Sequence, residues 1–235
     1  MESFFRSETF VLAFTFLIFF LAQRLQQKIK LIILNPILVS ITIIILFLTV
    51  FKIDYNSYHE GAKLIEFFLK PTVVALGVPL YQQLERIKKQ ALQILVSQLA
   101  GCIAGIVSVV FIAKILGASK EVILSLAPKS VTTPIAMEVS HVIGGIPALT
   151  AAVVVIVGIF GAMFGYTLMK WLRINNPIAQ GLSMGTAAHA VGTSKSMEIS
   201  EHYGAYSSLG LIANGIFTAI LTPYILKLMN IWLHF

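Results

Sequence analysis

Leu31–Phe51 contains no charged side chain. Long apolar runs return at Ala91–Leu116, Pro147–Met169 and Tyr206–Leu226. A run of about 20 apolar residues, rising 1.5 Å each as a helix, crosses a ~30 Å hydrocarbon core. Only 11% of the residues are charged and 57% are hydrophobic. A soluble domain carries about 25% charged residues and has no means of hiding so much apolar surface. In lipid the outer face is free to be apolar too. The chain therefore reads as an all-α polytopic membrane protein.

The formal net charge is +7. Its cations cluster in short loops, Gln23–Lys30, Glu85–Gln90 and Lys170–Asn176, so they speak for membrane topology rather than nucleic-acid binding. Placing these loops on the cytoplasmic side puts both termini outside. Cys102 is the only cysteine and sits in an apolar run, so it reads as a small packed residue, with no disulfide or cysteine metal site.

Phe4–Ala22 lacks a clearly basic start and a good cleavage site, so it reads as an uncleaved span. Asn35-Pro36 suits the first turn of a helix. Lys52–His59 is polar, and Gly61–Leu69 predicts an interfacial helix. Pro71–Leu84 is short for a span and predicts a segment sheltered by neighbours. Gly101 with Gly105, and Gly161 with Gly165, each form a small-xxx-small face that permits close helix packing. About six transmembrane helices are expected.

Gly117–Ile146 and Asn175–Ala205 fit neither a plain span nor an aqueous loop. Apolar pieces alternate there with Gly, Pro, Ser and Thr. Each predicts a broken, re-entrant pair of half-helices, which survives at membrane depth only where protein or a water-filled cavity shelters it. A shift of sixty residues lays Val131–Ser140 on Val191–Ser200, with Val, Thr, Met, Glu and Ser recurring in place. The same shift lays Gly101 and Gly105 on Gly161 and Gly165, and Ala127 on Ala187. The expected organisation is N-terminal scaffold helices over 1–90, a first repeat unit over 91–150 and a second over 151–235. Each unit is one span plus one broken hairpin, and the last span follows the second. A re-entrant hairpin inverts the second unit, giving the inverted structural repeat of a transporter-like fold.

Helix starts offer free N–H groups to anions. Pro134 predicts a break over Ala127–Pro134, with Thr132 or Thr133 as the cap of the next half-helix. Gly185–Ser196 predicts the second break. If the breaks face each other, Thr132, Thr133, Thr193 and Ser194 surround one small cavity. Lys129, His189 and Lys195 lie in or beside the breaks and offer positive charge to a carboxylate. Snorkelling to an interface is the alternative for the two lysines, and a bond to a backbone carbonyl is the alternative for His189. His189, Glu138 and Glu198 are candidates for coupling to a proton or cation, although the two glutamates equally suit capping or pairing near the hairpin mouths. His59, His141, His202 and His234 fall near interfaces. No phosphate loop, H-E-x-x-H, C-x-x-C or G-x-S-x-G is present, so the chain is not read as an enzyme and no cofactor or metal is expected.

Three stretches resemble signatures of the LrgB/CidB family of bacterial membrane proteins. They are Pro71–Tyr81 (PTVVALGVPLY), Ser125–Ala136 (SLAPKSVTTPIA) and Gly185–Lys195 (GTAAHAVGTSK). The likeness runs from about residue 10 to the end. Val74 and Lys195 depart from the pattern, which weakens a direct substrate role for Lys195. The resemblance implies a multi-pass protein of the bacterial inner membrane. It carries two functional expectations. One is a holin/antiholin-like modulator of murein hydrolase export and cell lysis, with a small LrgA/CidA-type membrane partner. The other is transport of small monocarboxylates such as pyruvate, glycolate or glycerate, as in the similar plastidial transporter. Paired breaks and buried cations favour the second. A homo-oligomer, a dimer at least, is expected in either case.

Overall fold

The computed structural model describes residues 7–29, 31, 34–75, 77–82 and 84–233; the side chains of 69, 70, 72, 73, 77, 79, 80, 86 and 233 are also outside that description. Phe4–Arg6, part of the Pro71–Tyr81 signature including Leu76, and His234 therefore lie outside the described residues. The regular elements among the described residues are α-helices. Contacts divide the chain into two units, 1–76 and 77–235.

In the first unit, α1 (Glu8–Ile29), α2 (Pro36–Val50), α3 (Tyr55–Gly61) and α4 (Lys63–Ala75) follow one another. Asn35 caps α2 as its sequence suggests: its Oδ1 accepts from the N–H of Ile37 at 2.9 Å and of Leu38 at 3.3 Å. Pro36, with no N–H to satisfy, occupies the first turn. The same cap corrects the expectation that Leu31–Phe51 is a full span. The helix starts only at Pro36, and Lys52 leaves it with φ 52°, so α2 has 15 residues and is about 22 Å long. The polar Lys52–His59 stretch holds α3, begun by Asp54, whose carboxylate accepts from Asn56 N–H at 3.0 Å. Thr15 of α1 and Tyr58 of α3 share a 2.8 Å hydrogen bond.

The second unit starts with two short helices, α5 (Gly77–Gln82) and α6 (Leu84–Lys89). Val78 and Tyr81 of α5 are exposed, so the shelter expected for Pro71–Leu84 is absent at those positions. Then come α7 (Ala91–Ile115), α8 (Lys120–Leu126), α9 (Thr133–Ile143), α10 (Pro147–Trp171), α11 (Pro177–Ile199) and α12 (Glu201–Leu233). Among the described residues, four helices rather than about six are long and apolar enough to cross a membrane: α1, α7, α10 and most of α12. The shortfall comes from the late start of α2 and from segments that break before reaching span length.

Both broken segments are present. α8 and α9 are separate helices joined by a non-helical link over residues 127–132. α11 is helical on either side of a kink at His189, whose φ of 43° and ψ of −135° are foreign to a helix.

A hydroxyl knot ties the first segment to α10. Ser125 Oγ donates to Glu121 O at 2.6 Å and accepts from Ile146 N–H at 2.7 Å. Thr150 donates to Ser140 Oγ at 2.7 Å and lies 3.0 Å from Ser125 O. All three hydroxyl side chains are fully buried, where an unpaired polar group costs several kcal/mol in lipid. The first letter of the SLAPKS signature is thus a structural hydroxyl.

α11 and α12 pack backbone to backbone. A Cβ on Gly181 would meet Tyr203 O at 2.9 Å, one on Gly210 would meet Leu182 O at 2.5 Å, and one on Gly185 would overlap Ser207 O. α10 also approaches α11 closely, but against side chains: Gly161 receives the Ala188 methyl and Gly165 the Met184 thioether. The Gly101 and Gly105 face of α7 behaves differently. Among the described residues, a Cβ on Gly101 would meet just Thr186 Cγ2, at 3.4 Å, and one on Gly105 would meet nothing within 4 Å. Its glycines leave open space instead of closing a helix contact. Gly105→Ala should therefore leave thermal stability unchanged or raise it by up to about 1 kcal/mol through helix propensity, while Gly161→Ala should cost about 1–3 kcal/mol through overpacking. Melting of the two purified variants in detergent checks the contrast.

Candidate functional site

The open space beside Gly105 belongs to a cavity of about 460 Å³. The long helices line it: Gly101, Cys102, Gly105 and Ile106 from the middle of α7, Asn214 and Thr218 from the middle of α12, and one face of α10 from Val157 to Leu168. The 127–132 link supplies Ala127, Lys129 and Ser130, and α11 supplies Thr186 and Ala187. α7 and α12 are long and apolar enough to cross a membrane, and a cavity at their middles would then lie near mid-depth.

Lys129 is the charged residue among the described lining residues. Its Nζ donates to Ser130 Oγ at 3.1 Å, and no carboxylate lies within ion-pair distance among the described residues. An ammonium at that depth is costly to bury unless something pairs with it. The cavity walls divide into an apolar side, with Val157, Phe160, Phe164 and Leu168, and a polar side, with Ser130, Thr186, Asn214 and Thr218. A small molecule with one negative end and a short carbon body fits this division.

Asn214 builds the polar side. One amide hydrogen goes to Ser130 O at 2.8 Å and the other to Thr186 O at 3.0 Å. It therefore holds the link of the first broken segment to the first half of the second. Cys102 also faces the cavity, with Sγ 3.4 Å from Thr218 Oγ1.

The other sequence candidates lie elsewhere. Thr132 is the N-cap of α9, in extended backbone, but its side chain makes no capping hydrogen bond; Thr133 is the first helical residue beyond it. Neither is among the lining residues of the cavity. His189 is buried, and its Nε2 donates to Val154 O at 2.9 Å, as the backbone-bonding alternative supposes. Its ring fits because residue 158 is glycine: a Cβ there would stand 2.5 Å from Cε1. Val154 also packs on Val131 of the first link, so the two breaks meet across one α10 residue. Thr193 is fully buried, donating to His189 O at 2.9 Å with Ser207 Oγ 3.0 Å away. Ser194 is exposed. Lys195 pairs with Glu198 at 2.7 Å on the outer surface of α11, and Glu138 is exposed on α9.

The structure thus gathers Lys129 with Ser130, Thr186, Asn214 and Thr218, and separates it from Thr193, Ser194 and Lys195. Asn214 and Thr186 escaped the sequence reading. The signal for Asn214 was an amide in the middle of the uncharged Tyr206–Leu226 run, where polar side chains serve as glue between helices.

A profile of the LrgB-like family matches residues 15–228. The chain belongs to the LrgB-like family. Among relatives, the "Holin-like protein CidB" of Staphylococcus aureus is 37% identical over 214 residues, covering 91% of this chain and 93% of the relative. The "Uncharacterized protein YwbG" of Bacillus subtilis is 37% identical over 215 residues, covering 92% and 96%. An "Uncharacterized protein" of Haemophilus influenzae is 39% identical over 211 residues, covering 90% and 91%. No solved structure matches the chain. For this LrgB-like protein the SLAPKS and GTAAHA signatures acquire distinct tasks: the first contains Ser125, Lys129 and Ser130, and the second contains Thr186, Ala187 and His189.

Proposed function

We propose that residues 77–235 carry small monocarboxylates across the membrane, with the Lys129 ammonium as countercharge. The observation behind this reading is that, among the described residues, Lys129 is the cation lining a cavity at the level of the helix middles and has no acidic partner. At ~30 Å³ per water the cavity has room for about fifteen waters, hence for a small acid with part of its hydration shell. The Ser130 and Thr218 hydroxyls provide hydrogen bonds on one wall, and Asn214 and Thr186, whose hydrogens are engaged by protein acceptors, hold that wall in place. Lys129 replaces the wider set of Thr132, Thr133, Thr193, Ser194 and Lys195 as the residue on which binding rests.

We further read 91–150 and 151–235 as an inverted duplication. Two features support it. α7 and α10 have 25 residues each, and their ends are alike: Gly117 N–H bonds Lys114 O at 3.0 Å, and Arg173 N–H bonds Lys170 O at 3.1 Å. Each is followed by a broken segment. Both the starts and the ends of α7 and α10 are about one helical turn closer than a sixty-residue shift requires, so the two copies differ by about a turn in helix register. The natural setting is a bacterial inner membrane, as a homo-oligomer, with a small LrgA/CidA-type protein as a candidate partner.

The second reading is a holin-like membrane protein, and the name of the CidB relatives favours it over transport. Such a protein would leak solutes by size alone. Purified protein in liposomes separates the two. Saturable uptake of labelled pyruvate, glycolate or glycerate, inhibited by one another, supports the carrier. Linear, unsaturable leak that includes neutral solutes of similar size supports the holin-like reading.

A further inference from the structure

A second cavity of about 470 Å³ meets the lysine cavity at Gly101, Thr186 and Ala187, which line both. Its polar wall is Gln90, Gln93, Ser97, Gln98, Asn176 and Ser183, with no charged residue among its described lining. Gln90 precedes α7 and Asn176 caps α11, so this cavity begins where both helices begin, at one membrane face. Gln98 lies two turns further in, about 12 Å deeper at 1.5 Å per residue. It is buried, and its Oε1 accepts from the Thr186 hydroxyl. Gln98 lines only the outer cavity, Lys129 and Cys102 line only the inner one, and Thr186 lines both.

We propose that the amide-lined cavity is the vestibule of the lysine cavity, and that the Gln98–Thr186 hydrogen bond is the latch between them. This rests on the carrier reading for the identity of the solute, but the latch itself does not. A neutral, hydrogen-bonding vestibule accepts a hydrated anion without binding it tightly. The solute then reaches Lys129 only when Gln98 and Thr186 part. Both side chains have other partners within reach: the single Thr186 hydroxyl hydrogen, shared with Leu182 O at 2.7 Å, can go wholly to that carbonyl, and the Gln98 amide is at the vestibule wall. Opening thus leaves no polar group stranded, which keeps the latch reversible.

Cys102 is the chain's only cysteine and reports on the inner cavity directly. An anionic methanethiosulfonate, added to proteoliposomes on the side of Gln90 and Asn176, has to pass the latch to modify it, because the open α10 side of the inner cavity, at Phe160, Phe164 and Leu168, would face lipid and exclude a charged reagent. In Gln98→Ala and in Thr186→Val, modification should run about five- to tenfold faster than in the parent, the factor one hydrogen bond is worth. Ser108→Ala, exposed on the same helix, should leave the rate unchanged. A cationic reagent should react more slowly than the anionic one in every variant, because Lys129 repels it. Two substitutions on opposite sides guard against a single folding failure. Unchanged rates in both folded variants overturn the latch, even if uptake is saturable. Faster modification with no protection by carboxylates leaves the latch standing and counts against the carrier reading instead.

Discussion

Lys129→Met should abolish most saturable carboxylate uptake while leaving the protein folded. Methionine matches the length of the lysine stem and removes the charge, with the Ser130 hydroxyl left free to bond elsewhere. A hydrogen bond to a charged group is worth about 1.5–3 kcal/mol, so binding at low solute concentration should fall roughly ten- to hundredfold. Stability should not fall with it, because the lysine has no carboxylate to lose among the described residues and because a cation at this depth is itself a cost. Lys129→Arg keeps the charge but brings a planar fork into a space shaped around a compact ammonium, so it should restore uptake only in part. Initial rates in proteoliposomes, with melting temperature measured on the same preparations, check the pair. Equal uptake in the parent and Lys129→Met would remove the lysine cavity from the account.

Gly185→Ala should have the largest effect on folding. A Cβ at this position overlaps Ser207 O and stands 2.8 Å from Leu211 N, and both are backbone atoms that cannot swing aside. The α11–α12 pair must separate to admit a methyl group. That separation also strains the Thr193–Ser207 contact and the Asn214 bond to Thr186 O. Overpacking costs about 1–3 kcal/mol and more when backbone must move, so a loss of about 3 kcal/mol is expected. For a chain of this size that is a fall of about 10 °C in Tm. Thermal unfolding in detergent checks it, and Gly105→Ala is the internal standard. An unchanged Tm for Gly185→Ala would mean that the helices sit further apart than described.

The sequence made much of the architecture legible through backbone chemistry. Pro134 bars helix before Thr133, and α9 starts there. Asn35 with Pro36 announced the start of α2, although the apolar residues before the cap made the helix look longer than it is. The kink of α11 was placed only to within a dozen residues, because the glycines that attract attention, Gly185 and Gly192, serve packing, while the distorted residue is His189. Its conformation depends on Val154 O and on the missing side chain of Gly158, both far away in sequence.

Site residues divided along the same line. Lys129 stood out because charge is rare in such a chain. Thr193 and Ser194 looked like a pair, but neighbours on a helix point about 100° apart, so one is buried and the other exposed. Lys195 and Glu198 sit three apart on one outward face and neutralise each other. Gln98, Thr186 and Asn214 gain meaning only from partners 88, 84 and 28 residues away, and no local pattern signals those.

Counterflow separates a carrier from a holin-like pore most directly. Liposomes holding the protein are preloaded with unlabelled pyruvate, glycolate or glycerate, and labelled solute is added outside. A single cavity served alternately from each side predicts that preloading accelerates entry of the label and drives its transient accumulation above the external concentration, with both effects lost in Lys129→Met. Entry that is indifferent to preloading, never exceeds equilibration and persists in Lys129→Met would contradict the account.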